Sequence, residues 1–399
     1  MKKILFTILM LAGLTNASAQ RFMRIWQNDE STRVNLQDIV YSNNGTRLTV
    51  DGTTYQTADI DSITIVKQVN VIYDGNTATV DLGNATDITY QIDGAHVTLT
   101  NTNTTEEMEV ELSGTSNDGS FTYVGSYKCK IHLSGVNLTS TRGAAIDIQD
   151  GKRIDLILTE GTTNTLTDCT DGEQKAALYC KGHMEVAGAG SLTVAGNTKH
   201  AIATNEYMLV KKSVGSITIT KAVSDGIHAE QYFQMNGGTL NISGTGGDGI
   251  QAEMTNDATD EYNGYLFIKG GTINMTVAAD DVKGIKSDKQ MSITGGTINI
   301  DVTGAGSKGI KTDDTLIVKE EDGAISITIN ATGSRYTDPV TKESSRCMGI
   351  NVGTDLYVYS GTISVSATGS GSKSIKVANT YYAYGGSVSP EPEATRKVK

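Results

Sequence analysis

Charged residues recur at fixed positions around a repeated isoleucine in the second half of the chain. They form three rows, set two residues before, one residue after and three residues after that isoleucine. The rows are Asp225, Asp248, Lys283 and Lys308; then His228, Gln251, Lys286 and Lys311; then Glu230 and Glu253. Carboxylates bind hard cations and lysines bind anions, so rows of both types could form a mixed site.

The acidic members of these rows are candidate calcium ligands. If successive repeats pair as strands, Asp225 lies about 4.8 Å from Asp248, and Glu230 lies equally close to Glu253. Carboxylates at that distance repel by about 1 kcal/mol in water, and a Ca²⁺ ion with its oxygen ligands removes that cost. The other oxygen donors nearby are Asp257, Asp260, Glu261, Asp280 and Asp281. A solvated acidic face without an ion is the alternative.

The lysine members predict a basic patch beside the acids. Lys283, Lys286, Lys308 and Lys311 form a two-by-two array that, with calcium and the neighbouring His228, would bind the carboxylates of an extended acidic polysaccharide. Pairing of the lysines with Asp288 and Asp313 is the alternative. Such exposed pairs contribute at most about 1 kcal/mol, which favours a ligand as the reason for the regular array.

The same residues are compatible with catalysis only in part. In a calcium-dependent lyase, Lys283 or Lys308 would have to act as a base, and the adjacent acids are expected to keep both protonated. Hydrolysis needs two carboxylates across a sugar, whereas these acids share one face. We therefore predict binding without a catalytic residue. A polysaccharide lyase is the first alternative, and a structural or adhesin solenoid without a sugar ligand is the second.

The residues in these rows are positioned by an internal repeat. Its isoleucine or leucine stands at positions 146, 178, 202, 227, 250, 285, 310, 350 and 375, with several intervals of 23 to 25 residues. A second motif, G-G-T followed by an apolar residue, places Leu240 and Ile298 13 residues after the preceding isoleucine. A third apolar run, such as that at Met291, precedes G-G-T. Three short strands per unit predict an all-β, right-handed parallel β-helix (solenoid), with a propeller as the second choice.

The repeat also divides the chain. Residues 1–20 have Lys2 and Lys3, an apolar run and a small-residue site near Ala19, which predicts a cleaved signal peptide and export. We expect a small β module at 21–66, an N-terminal cap with irregular strands at 67–128, the β-helix at 129–390 and a flexible tail at 391–399. No later segment is long and apolar enough to span a membrane, and we expect a monomer.

Composition excludes some classes of protein. The net charge is −12 and becomes −14 when the signal peptide removes Lys2 and Lys3, which argues against nucleic acid as a partner. The 44 glycines and 3 prolines suit short strands joined by tight turns. Of the four cysteines, Cys129–Cys169 or Cys169–Cys180 could form a disulfide, and buried thiols are the alternative.

The middle of the chain resembles a known family. The segments that carry the resemblance are K-I-H-L-S-G-V-N-L-T-S, G-A-A-I-D-I, E-G-T-T-N-T-L-T-D, S-D-G-I-H-A and G-D-G-I-Q-A, within residues 75 to 390. They resemble secreted bacterial β-helix carbohydrate-binding proteins that are similar in fold to pectate lyases. The resemblance implies calcium binding and recognition of acidic plant polysaccharides such as polygalacturonate. Because a fold does not fix a ligand, the ligand remains a hypothesis.

Overall fold

The computed structural model describes residues 22–28, 30–35, 38–65, 67–83, 85–257 and 259–398. The predicted signal peptide lies outside these residues. The described chain is all-β, as predicted, and its one helical segment is a 3-10 turn at Thr57–Asp59. Within the same ranges, no helix has the length and apolarity needed to cross a bilayer.

The N-terminal strands pack around a small core of their own. They are β1 (Phe22–Gln27), β2 (Glu30–Asn35), β3 (Val40–Ser42), β4 (Arg47–Val50), β5 (Thr53–Gln56) and β6 (Ser62–Ile65). Strands β2, β1 and β6 form one antiparallel sheet, and β3, β4 and β5 form another. The buried Met23, Ile25, Leu48 and Val50 form a cluster separate from the main core.

The next strands join this module to the repeats. They are β7 (Gln68–Asp74), β8 (Thr77–Asp81), β9 (Ile88–Asp93), β10 (Ala95–Asn101), β11 (Met108–Ser116), β12 (Gly119–Val124) and β13 (Cys129–Thr139). Strand β10 pairs parallel with β12, and β12 pairs parallel with β14 (Ile146–Gln149). Parallel pairing therefore begins before residue 129. The G-I motif did not reveal it, because β10 and β12 show the period-two burial without that motif.

The repeats build three parallel stacks of strands. The isoleucine stack continues from β14 through β17 (Ala176–Cys180), β20 (His200–Thr204), β23 (Ile227–Glu230), β26 (Ile250–Glu253), β29 (Lys283–Ser287), β32 (Lys308–Thr312), β37 (Met348–Val352) and β40 (Lys373–Val377). The second stack contains β15 (Ile154–Leu158), β18 (Met184–Ala187), β21 (Met208–Val210), β24 (Tyr232–Met235), β27 (Tyr265–Ile268), β30 (Met291–Ile293), β33 (Leu316–Val318), β38 (Leu356–Val358) and β41 (Thr380–Ala383). The third stack contains β16 (Thr163–Thr167), β19 (Ser191–Gly196), β22 (Ser216–Ala222), β25 (Thr239–Ile242), β28 (Thr272–Val277), β31 (Gly296–Val302), β34 (Ile325–Ala331), β39 (Thr362–Ala367) and β42 (Ser387–Ser389). Between β34 and β37 lies a short antiparallel pair, β35 (Tyr336–Thr337) and β36 (Ser344–Ser345).

Apolar residues at period two turn inward from all three stacks and form one continuous core. Ile227 lies opposite Ile250, and Ile250 lies opposite Ile285. All three side chains are fully buried, and each contributes about 1.5–3 kcal/mol to folding. The glycine before each of these three isoleucines allows the coils to approach, since a Cβ on Gly284 would lie 2.5 Å from the carbonyl oxygen of Gly309.

The C-terminal residues differ from the predicted flexible tail. Strand β43 (Thr395–Val398) pairs parallel with β41 and adds one more rung to the second stack. Without β43, the backbone N–H and C=O groups on one edge of β41 would lack partners, and β43 supplies them. Tyr381 is buried at this end of the core.

The four cysteines form no disulfide. Cys129, Cys180 and Cys347 are buried, and Cys169 is half-buried. Burial raises the pKa of Cys180 to about 12, so this thiol stays protonated and packs as a small apolar side chain.

Candidate functional site

The predicted rows lie in register on the isoleucine stack. We call the charged and polar residues in and just before β23, β26, β29 and β32 the charged face. Its paired rows are His228–Gln251–Lys286–Lys311, Glu230–Glu253 and Lys283–Lys308. Parallel pairing of equivalent strands therefore brings together the residues that the repeat spacing predicted.

Asp225 and Asp248 have a different environment from the solvated acids that the spacing suggested. Both are buried, with exposed fractions of 6% and 8%. Asp225 Oδ1 accepts the backbone N–H of Asp248 at 2.8 Å, and Asp248 Oδ1 accepts the backbone N–H of Lys283 at 2.7 Å. Each carboxylate therefore holds the start of the next strand in the stack, which occupies part of its capacity for a metal.

Two histidines complete the surroundings of Asp225. Its Oδ2 lies 3.2 Å from Nδ1 of His200 and 2.9 Å from Nδ1 of His228, and the two rings stack with centroids 4.4 Å apart. Burial raises the pKa of Asp225, but the two adjacent imidazoles and the backbone N–H of Asp248 outweigh it and hold that pKa well below its usual range. Burial lowers the pKa of His200. The ligand atoms of these three residues lie within 4.8 Å of one another and could hold a metal ion. Sequence reasoning gave His200 no role, although it precedes Ile202 at the same offset as Asp225 precedes Ile227.

The two glutamates are the more open acids of the charged face. Glu230 forms an ion pair with Lys175, and Glu253 Oε2 lies 3.3 Å from Nε2 of His228. The side chain of Glu253 is 45% exposed and that of Glu230 is 33% exposed. Between the acids and the lysines, the amide of Gln251 can donate to Asp225 and accept from Lys286, both at 3.1 Å.

The lysines of the charged face have unlike environments. Lys286 pairs with Asp288 at 3.3 Å and Lys311 pairs with Asp313 at 2.8 Å, so the predicted alternative pairing occurs. Burial opposes the charge of Lys286, but the nearby carboxylates raise its pKa.

Lys308 differs from the expectation that adjacent acids keep the lysines protonated. It is buried, and this burial lowers its pKa despite an ion pair of 3.2 Å with Asp281. Its Nζ also donates to the carbonyl oxygen of Gly306 at 2.5 Å and to Ser345 Oγ. Because several acceptors surround this amine, it is held inside the wall of the coil.

The remaining predicted oxygen donors serve turns and loops. Asp280 Oδ1 accepts the backbone N–H of Ala305 at 2.8 Å. Asp281 has a φ of 54° and an exposed carboxylate beside Lys308. In the insertion after β26, Asp257 accepts from Thr259 and Asp260 accepts from Thr255.

Aromatic ladders were not predicted. Tyr357 stacks on Tyr382 with centroids 4.4 Å apart, and Tyr359 stacks on Tyr384 at 4.8 Å. The rings cover one another's faces along the stack, so they stabilise the last coils. The tyrosines at 357, 359, 382 and 384 were not visible as a group, since each pair is contributed by two different coils.

The long parallel sheets and the ordered charged face place the chain among solenoid-like all-β proteins with an extended charged surface. The chain belongs to the carbohydrate-binding domain-containing protein family, whose model matches residues 93–391.

Two relatives agree with this assignment. The chain is 26% identical over 206 residues to a carbohydrate-binding domain-containing protein of Acetivibrio thermocellus, and the match covers 49% of this chain and 70% of the relative. It is also similar to a solved structure of the polysaccharide lyase-like protein from C. thermocellum, a gadolinium derivative. That match has 26% identity and a TM-score of 0.51, and covers 66% of this chain and 96% of the other. Family and fold together support polysaccharide binding in general.

Proposed function

We propose that this protein is exported and binds an acidic, polygalacturonate-like polysaccharide along the charged face with the help of calcium. The observation that carries the proposal is the register of Glu230 with Glu253 beside the array of Lys283, Lys286, Lys308 and Lys311. An extended chain on this face would meet carboxylates at one end and ammonium groups at the other. Calcium would join its carboxylates to the glutamates, and the more open Lys283, Lys286 and Lys311 would bind them directly, whereas Lys308 is buried.

The glutamates are the residues best placed to hold calcium. Like charges directly opposite each other in a sheet repel, and of these two glutamates Glu230 pairs with Lys175 whereas Glu253 contacts His228. Glu253, whose side chain is 45% exposed, therefore offers its other oxygen next to a second carboxylate, which suits a cation that prefers several oxygen ligands. Asp248 could add its second oxygen, whereas Asp225 already contacts two histidines.

We also propose that the strands wind as a right-handed parallel β-helix in a monomer. Connections between parallel strands are right-handed in nearly all proteins, because the twist of each strand favours that direction. This coil would present the charged face as one flat surface along the axis.

A calcium-dependent lyase is the second candidate, favoured by the lowered pKa of Lys308. A base of this kind must reach the substrate with a free electron pair. Lys308 is buried and donates to the carbonyl oxygen of Gly306 and to Ser345, so we place binding ahead of elimination.

Affinity electrophoresis through gels with polygalacturonate, in Ca²⁺ or in EDTA, tests the proposal. We expect calcium-dependent retardation of the wild type and weaker retardation of K286A/K311A. The exposed pair K128A/K152A removes the same charge and serves as the control. Equal migration of the wild type in every gel would contradict the proposal. Growth of ultraviolet absorbance from unsaturated products would establish the lyase.

A further inference from the structure

A cleft away from the charged face is lined by the glycine pairs of the G-G-T motif. Its volume is about 640 Å³, and it lies at the corner where the second stack leads into the third. Gly237 and Gly238 line one coil of this cleft, and Gly270 and Gly271 line the next. Gly271 cannot be replaced by a residue with a side chain without strain, since its φ is +88° and a Cβ there would lie 2.6 Å from the carbonyl oxygen of Gly238.

The cleft has open donors and positive charge. Within the described chain, the backbone N–H groups of these four glycines donate no hydrogen bond to a protein acceptor. Lys212 and Lys269 line the same cleft, and neither forms an ion pair with a described carboxylate. Lys212 lies one coil before Gly237, and Lys269 lies one coil after it, so their backbones are roughly 10 Å apart. Asp322 lies at the far end, where Thr294 donates to it at 2.6 Å.

We infer that this glycine cleft is a second binding site for the carboxylates of an acidic polysaccharide, with Lys212 and Lys269 as its charged contacts. Unpaired backbone N–H groups together with ammonium groups form an anion site. These donors lie on two successive coils, Gly237–Gly238 and Gly270–Gly271, so an extended sugar chain along the axis meets equivalent donors at two steps. The inference rests on the proposed function, because it adds a second surface for the same ligand class and requires no calcium.

Titration calorimetry of the full mature chain with sodium oligogalacturonate, in Ca²⁺ and in EDTA, tests this site. In EDTA we expect K212A/K269A to weaken binding by about tenfold or more, as the loss of charged contacts with a ligand predicts. The pair K128A/K152A should leave the affinity unchanged. A fully methyl-esterified oligomer has no carboxylate, so it should bind the variants K212A/K269A and K128A/K152A with the same affinity. Matching melting curves of the variants check that each is folded.

The outcomes separate this inference from the proposed function. Wild-type binding that is weakened equally by both lysine pairs reflects net charge alone and overturns the cleft as a site. Wild-type binding that K212A/K269A leaves intact also overturns it, while the charged face remains the ligand surface. Absence of wild-type binding in both Ca²⁺ and EDTA overturns the proposed function and this inference together.

Discussion

Asp225 Oδ1 accepts the backbone N–H of Asp248 at 2.8 Å, so an acid of one coil fixes the first residues of the next. The relationship is repeated when Asp248 accepts the N–H of Lys283. Residues that read as a repelling acidic pair are therefore connectors between coils. The same connection sets the register of the charged face, because each coil starts from a fixed point.

Substitution of Asp225 by Ala should destabilise the fold by about 1–3 kcal/mol, since it leaves His228 and the backbone N–H of Asp248 without their buried acceptor. Chemical denaturation followed by circular dichroism measures this change. Glu253→Gln, at a side chain that is 45% exposed, should change stability by less than about 1 kcal/mol. Equal effects of the two variants would contradict the connecting role of Asp225.

Acid should destabilise the protein as the pH falls through the range in which a free histidine titrates. Burial lowers the pKa of His200 below the ordinary value of 6.5 for histidine, so the unfolded state binds more protons than the native state in that range. Stability therefore rises with pH there and is lost as the pH falls. Melting temperatures between about pH 5 and about pH 8 should show this slope, and His200→Gln should reduce it. His183 also has a lowered pKa and accounts for slope that remains. An unchanged slope in His200→Gln would exclude His200 as the source.

Calcium should raise the melting temperature of the wild type. A ligand that binds only the native state at about 100 times its dissociation constant stabilises by about 2.7 kcal/mol. E230Q/E253Q should lose this response, because the variant removes both facing carboxylates. E160Q/E173Q removes two exposed acids elsewhere and should keep the response. A calcium shift that survives in E230Q/E253Q would move the ion to other ligands.

Gly284→Ala should destabilise the repeats by about 1–3 kcal/mol, since the new methyl group would lie 2.5 Å from the carbonyl oxygen of Gly309. Gly151→Ala is the matched control, because no atom lies within 4 Å of a Cβ there. Denaturation midpoints of the two variants compare them directly. Similar midpoints would show that the coils can separate without cost.

The positions of strands and the register of equivalent residues were predictable from spacing. Apolar residues at period two predict where the strands lie, and the recurring isoleucine predicts which residues pair. Ile227, Ile250 and Ile285 lie opposite one another as expected. The start of the parallel pairing and the final rung at Thr395–Val398 were not predictable from the motif. Those segments pair through backbone hydrogen bonds, which any side-chain pattern allows.

The sequence by itself determined the all-β architecture and which residues share a row, because both follow from local periodicity. Only the tertiary structure decided which side chains meet and which are buried. Lys175 pairs with Glu230 from 55 residues away because β17, β20 and β23 stack in order. Asp225 is buried against His200 of the preceding coil and His228, and Lys308 is buried against Ser345 in the insertion before β37. Neither contact shows in the period of the repeat. Contacts between coils depend on those connections, so the chemistry of this face is set by stacking in three dimensions.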